Sequence, residues 1–138
     1  MARHPGASAI VPMLDDGRIV LIKQYRHAVG GYIYEVPAGK LDNNEAPEDC
    51  AKRELIEEIG YRAGQLEKLI SIHTTPGFCN EMIHIYLATE LQKDQVNHEP
   101  NEVIEIEYFT KIEIKEMINS GKITDAKTLV GLLYALQN

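Results

Sequence analysis

The segment running from Pro47 to Gly60, PEDCAKRELIEEIG, limits this chain more than any other. Proline lacks an N–H and carries a preset φ, which suits the first position of a helix, and glycine takes the left-handed conformation that ends one. The pair predicts a helix from about Pro47 to Ile59. With about 3.6 residues per turn, Ala51, Leu55 and Ile59 line up as an apolar stripe that needs a packed surface. Glu54, Glu57 and Glu58, at i, i+3 and i+4, fall on the adjoining face within an arc of about 100°. One edge of the helix must be buried while its neighbour carries three carboxylates.

Like charges at these spacings repel by a few tenths of a kcal/mol per pair, which a sequence selected for helix stability alone would avoid. A hard cation such as Mg²⁺ or Mn²⁺ removes the conflict, because it prefers oxygen ligands and can bridge carboxylates to phosphate oxygens. The alternative for an isolated Glu-x-x-Glu-Glu run is a solvated acidic face. The surrounding residues separate the two. Gly39 is followed after five residues by Glu45 and after seven more by Arg53; Glu54, Leu55, Ile56, Glu57, Glu58, Ile59, Gly60 and Tyr61 then follow. Residues 39–61 resemble the Nudix box, Gly-x5-Glu-x7-Arg-Glu-U-x-Glu-Glu-x-Gly-U with U apolar. Every fixed position is matched, with Tyr61 where an aliphatic residue is more usual.

The resemblance implies an α/β fold, the Nudix-type α/β/α sandwich around a mixed sheet. It also implies a loop, helix and loop that bind divalent metal, Mg²⁺ or Mn²⁺, and position a nucleoside diphosphate linked to another moiety for hydrolysis. Glu54, Glu57 and Glu58 are the implied metal ligands, with the carbonyl of Ala38 as a further one. Arg53 joins the catalytic set by orienting the carboxylates through ion pairing, and Glu57 lies within its reach four residues on. Glu45 is expected to brace the loop.

Outside the box, Gln24-Tyr25-Arg26, Glu35-Val36-Pro37-Ala38-Gly39-Lys40, Thr75-Pro76-Gly77-Phe78 and Lys122 to Thr128 are similar to the ADP-ribose pyrophosphatase group of Nudix enzymes. The similarity covers nearly the whole chain. It implies that Arg26, Glu35, Pro76, Gly77 and Phe78 meet substrate. A guanidinium matches phosphate oxygens bidentately, so Arg26 suits a phosphate clamp, although a surface arginine is the plainer reading. Glu35 could equally be an exposed strand residue, and Pro76 with Gly77 a simple turn.

Attack of water on a diphosphate needs a proton acceptor, and His98-Glu99-Pro100-Asn101-Glu102-Val103-Ile104 stands where the group carries an acidic loop. By that resemblance Glu102 contacts metal. Pro100 departs from the pattern near the usual general base, leaving Glu102 or Glu99 for that role. A second departure is the early start of the strand pattern, within ten residues of Met1. Longer members have a preceding β region that helps form a dimer and contributes to adenine binding. Adenine recognition is therefore expected from this domain, from a second copy in a different homodimer, or not at all.

A length of 138 residues predicts one domain, 1–138, able to bury one core. The net charge of −7 argues against nucleic acid or an anionic membrane as partner and leaves a small-molecule nucleoside diphosphate. No apolar run approaches the ~20 residues of a membrane span and the start lacks a signal-peptide pattern, so a cytoplasmic location is expected. Cys50 and Cys79 lack metal-ligand spacing and read as reduced thiols.

Ala7–Leu14 and Arg18–Tyr25 read as a hairpin around Asp15, Asp16 and Gly17. Further strands are expected at Tyr32–Val36, Gln65–His73, Met82–Glu90 and Val103–Phe109, and helices at Lys111–Asn119 and Asp125–Gln137. His73 and His84 fall on strands and read as strand residues. The reading that unites these features is metal-dependent hydrolysis of the diphosphate linkage of a nucleoside diphosphate sugar, ADP-ribose giving AMP and ribose 5-phosphate. The alternatives are a pyrophosphohydrolase of nucleoside triphosphates or dinucleoside polyphosphates, and a non-catalytic domain that senses nucleotide sugars. The complete carboxylate set disfavours the sensor.

Overall fold

The structure is a computed structural model that describes residues 4–94 and 104–137. Strand β1, Ala7–Pro12, is buried at all six positions and lies inside a four-stranded sheet. Its neighbours are β4, Ala38–Lys40, which runs antiparallel to it, and β7, Met82–Thr89, which runs parallel. The antiparallel β6, Gln65–His73, completes the order β4-β1-β7-β6, so the sheet is mixed. A second, antiparallel sheet has the order β3-β2-β9, formed by Gly31–Glu35, Ile19–Arg26 and Ile104–Phe109. The two-residue strands β5, Tyr61–Arg62, and β8, Gln92–Lys93, pair with each other.

The expected hairpin is corrected. Its turn forms, with Leu14 N–H donating to Arg18 carbonyl at 2.8 Å and Gly17 at φ 90°. Beyond it, only Met13 stands opposite Ile19 as an isolated bridge, and β1 and β2 part into different sheets. Both are inner strands: β1 satisfies its edges with β4 and β7, and β2 with β3 and β9, which leaves neither a free edge for the other.

Period-two alternation along β1 divides the core. Ala7, Ala9 and Val11 join Ile85, Leu132 and Ala135 on one face, where helix α3, Ala126–Ala135, packs together with Ile114 and Met117 of helix α2, Lys111–Asn119. Ile10 turns the other way, to Ala51, Leu55 and Ile59 of helix α1, Pro47–Ile59. Ser8 points to the same side and donates a hydrogen bond to the Pro47 carbonyl at 2.7 Å. Helices on both faces of a mixed sheet make the α/β/α sandwich expected from sequence.

Helix α1 has the expected ends: Pro47 opens it, and Gly60, at φ 73°, closes it with its N–H on the Ile56 carbonyl at 2.9 Å. Asp125 caps α3 from outside, accepting from Thr128 N–H at 3.2 Å. Among the described residues no helix is long and apolar enough to cross a membrane.

Leu55 is fully buried between α1 and the sheet. Leu55→Ala should cost about 2–5 kcal/mol, read as a lower urea midpoint at unchanged slope.

Candidate active site

Strand β4 brings the start of the 39–61 segment alongside α1, and the close approach depends on glycine. A Cβ on Gly39 would lie 2.2 Å from the Glu54 carboxyl carbon, so any side chain there would displace a carboxylate that is itself buried. Above this contact, Ile22, Gln24 and Arg26 of β2, Glu35 of β3 and Ile104 of β9 face Glu54, Glu57 and Glu58 of α1 across a cleft of about 570 Å³. That volume suits a small-molecule ligand.

Arg53 organises the acidic side. Its Nε and Nη2 donate to the two carboxylate oxygens of Glu45, both at 2.9 Å, while Nη1 donates to Glu54 at 2.8 Å. Nη2 also reaches the Lys40 carbonyl at 3.2 Å. Glu45 in turn accepts the Asp42 N–H at 3.0 Å. The arginine fork and the Asp42 N–H hold the Glu45 carboxyl down to about 2. Glu45 thus braces the loop, as the sequence implied, and Arg53 fastens that loop to Glu54. Contact with Glu57 is looser, at 3.4 Å.

The three helix carboxylates are not equally gathered. Glu54 is buried and Glu58 half-buried, and the two interact, whereas Glu57 stands on the solvent side with its side chain 55% exposed. Burial, then the Glu54 charge beside it, push the Glu58 carboxyl up to about 8, against the smaller lowering influence of the Ala38 backbone. Burial also lifts Glu54 above the usual carboxylate range, against the pull of Arg53. Two neighbouring, partly desolvated carboxylates disfavour each other's ionisation, and further positive charge would relieve that. Among the described residues, no three His, Cys, Asp or Glu side chains already stand in a metal-holding arrangement.

The opposite wall pairs cations with carboxylates. Arg26 donates to Glu35 twice, from Nε at 2.8 Å and from Nη2 at 3.1 Å, and Glu35 is only 2% exposed. Glu35 is therefore a buried partner of the arginine and not an exposed strand residue. It also accepts from Lys127 Nζ at 2.7 Å, a residue that sequence reasoning left without a role although it lies in the Lys122–Thr128 match.

Pro76, Gly77 and Phe78 are not brought to the cleft. They form an exposed turn closed by Phe78 N–H on the Thr75 carbonyl at 3.2 Å. Thr74 and Glu81, at the ends of that turn, line a second recess of about 510 Å³ that shares Arg26 and Ala38 with the cleft. Glu99 and Glu102 lie outside the described residues; Ile104, two positions after Glu102, lines the cleft. Cys50 is buried and Cys79 partly so, and both are free. His84 hydrogen-bonds Ser71 across β6 and β7 at 2.8 Å, a strand role as expected.

The sequence profile of the NUDIX domain matches residues 2–129. An ADP-ribose pyrophosphatase of Bacillus subtilis (strain 168) is 38% identical over 136 residues, covering 97% of this chain and 74% of that protein. A methanol dehydrogenase activator of Bacillus methanolicus is 39% identical with the same coverage, 97% and 74%. A GDP-mannose pyrophosphatase of Escherichia coli O1:K1 / APEC is 35% identical over 144 residues, 96% of this chain and 73% of that one. In fold, the chain superposes on the crystal structure of an ADP compounds hydrolase with a TM-score of 0.87 at 22% identity, over 96% of this chain and 71% of that one.

The depressed Glu45 carboxyl gives a pH signature. A carboxylate whose pKa is lower folded than unfolded contributes stability above its ordinary value, near 4.5, and loses it as pH falls towards about 2. Glu45→Gln should be less stable than the unaltered chain above pH about 5, with the two melting curves converging as pH approaches about 2. Parallel pH dependence of the two proteins would contradict the bridge.

Proposed function

The chain belongs to the NUDIX domain family and is a Nudix hydrolase, and from that premise we propose that it cleaves the diphosphate linkage of a nucleoside diphosphate sugar, ADP-ribose foremost, to AMP and ribose 5-phosphate. The observation that carries this reading is the cleft that sets the Glu54–Glu58 pair against Arg26. Pyrophosphatase names among relatives at 35–38% identity, over nearly the full chain, support the substrate class.

The donor set fits a hard divalent cation. It offers carboxylate oxygens, and its Glu58 acid, raised first by burial and then by the Glu54 charge, is one that a bound cation would help to ionise, since Arg53 is already shared with Glu45. Glu54, Glu57 and Glu58 would hold Mg²⁺, or Mn²⁺ in its place, with the Ala38 carbonyl and Glu102 as further ligands. Such an ion supplies compensation for the charge on the diphosphate and polarises its P–O bonds.

The chain's own side chains do the rest. Arg26, nearly half exposed at the cleft wall, donates N–H groups to phosphate oxygens, and Glu35 behind it holds the guanidinium in place. Arg53 keeps the Glu54 carboxylate aimed and the loop closed on α1. Glu102, or else Glu99, accepts the proton of the attacking water; the water oxygen bonds to one phosphorus and the bridging P–O bond breaks. Pro76, Gly77 and Phe78, in the turn between Thr74 and Glu81 of the second recess, are assigned to the outer part of the substrate. A homodimer and a cytoplasmic location complete the proposal.

A panel of ADP-ribose, GDP-mannose, nucleoside triphosphates and dinucleoside polyphosphates, each with Mg²⁺ and with Mn²⁺ and with products identified by mass, tests the reading. AMP and ribose 5-phosphate are expected as the main products; inorganic pyrophosphate from triphosphates alone would overturn it.

Glu58→Gln should fold and yet lose roughly 10²-fold or more in turnover, about 3 kcal/mol of barrier. Millimolar Mg²⁺ should raise the melting temperature of the unaltered chain by linkage, and the variant should lose most of that rise. Equal rises in the two proteins would remove Glu58 from the ligand set.

A further inference from the structure

Lys127 is a mostly buried cation, its side chain 16% exposed, and it sits between two carboxylates. Nζ donates to Glu35 Oε1 at 2.7 Å and to Asp125 Oδ2 at 2.9 Å. The same Asp125 oxygen caps α3, accepting from Thr128 N–H at 3.2 Å and from Thr128 Oγ1 at 2.7 Å. Thr128 Oγ1 accepts the Val36 N–H at 3.0 Å, one residue beyond Glu35. The first turn of α3 is thus fastened to the end of β3 at two points, although 92 residues separate the partners in each. One of these fastenings is neutral and would serve the fold alone. The other places a desolvated ammonium against the carboxylate that grips Arg26.

Replacing a buried ion pair with apolar residues of similar volume is often neutral or stabilising, so stability is a weak explanation for Lys127. Charge and geometry offer a stronger one. Arg26 and Lys127 balance Glu35 and Asp125, so this wall is neutral as a group although it faces the acidic side of the cleft. Without Lys127, Arg26 would be the sole cation beside two carboxylates, and the wall would turn net negative toward an anionic substrate. Glu35 Oε1 would also lose the shorter of its two bonds, keeping only the one from Arg26 Nη2 at 3.1 Å, and with it a fixed point of the fork that aims Arg26.

We propose that Lys127 is a positioning residue, which by holding Glu35 keeps the Arg26 guanidinium oriented and electrostatically available for the diphosphate of the substrate. This rests on the diphosphatase reading above. Lys127 acts through Glu35 on Arg26, so its signature belongs in substrate affinity and must depend on Arg26.

Steady-state kinetics on the best substrate of the panel, in the unaltered chain, Lys127→Met, Arg26→Ala and the double variant, tests it. Lys127→Met should raise KM by roughly tenfold with kcat within about twofold, and Lys127→Arg, which restores the charge and the donors, should bring KM most of the way back. In the Arg26→Ala background the same substitution should change KM by less than about twofold, because the group it acts through is gone. If Lys127→Met does not fold, Lys127→Gln, which keeps a neutral N–H donor, takes its place in the cycle. An unchanged KM, an equal drop in kcat, or effects that multiply independently in the double variant would overturn the proposal. So would failure of both neutral variants to fold, which would assign Lys127 to folding. Absence of turnover by the unaltered chain on every diphosphate would instead defeat the diphosphatase reading, whereas turnover with unaltered KM in the variants would defeat the role of Lys127 alone.

Discussion

Arg53 holds the acidic half of the cleft together. Its five N–H donors lie in a rigid plane, so one guanidinium can grip Glu45 with two bonds and still direct a third to Glu54 and a fourth to the Lys40 carbonyl. At its start the loop from Lys40 to Ala46 is also tied to the segment before β1, where Leu41 N–H donates to the Gly6 carbonyl at 3.0 Å. With the fork in place, the loop start, the helix face and the buried Glu54 carboxylate form one rigid unit. A lysine at the same position would offer a point charge and no fork.

This arrangement consumes the positive charge that could have quieted the helix carboxylates. Arg53 is shared with Glu45, so the Glu54–Glu58 pair keeps part of its mutual repulsion in a partly desolvated setting. The same allocation recurs on the opposite wall, where Glu35 is fully engaged by Arg26 and Lys127. The result is a cleft in which one carboxylate pair has only a share of Arg53 as counterion among the described residues, and one arginine faces the open space. That asymmetry matches what a metal-assisted attack on a diphosphate requires: somewhere for a cation, and a fixed donor for phosphate oxygens.

How much of this was legible follows from the range of the signals. Local signals were read closely: Pro47 and Gly60 bracket α1 as expected, and Lys111–Asn119 and Gln65–His73 coincide with α2 and β6. Asp125 fell inside an expected helix and proves to be its cap. Where pairing over distance mattered, local signals misled. The Asp15-Asp16-Gly17 turn suggested a hairpin, yet each flanking strand found better partners on both of its edges. Short β4 carries no periodicity of its own and went unread, although it is the strand that sets Gly39 against Glu54.

In the candidate site the division is the same. Spacing alone put Glu54, Glu57 and Glu58 on one helix face and Arg53 within reach of them, because the α-helical repeat is a property of the backbone. Which carboxylates become buried, and which stays in water, depended on what packs against that face: β4 covers Glu54, the cleft half-covers Glu58, and Glu57 is left outside. Arg26 and Glu35 were legible as residues but not as a pair, since their bond depends on the register of β2 with β3. Lys127 stood inside the Lys122–Thr128 similarity, but its role was not legible, because its partner lies 92 residues away and only the docking of α3 on the sheet brings them together. The sequence by itself therefore determined the helix, its carboxylates and the chemistry they suit. Tertiary packing decided which charges are paired and which are left for a ligand, because desolvation and counterions are set by neighbours distant in the chain.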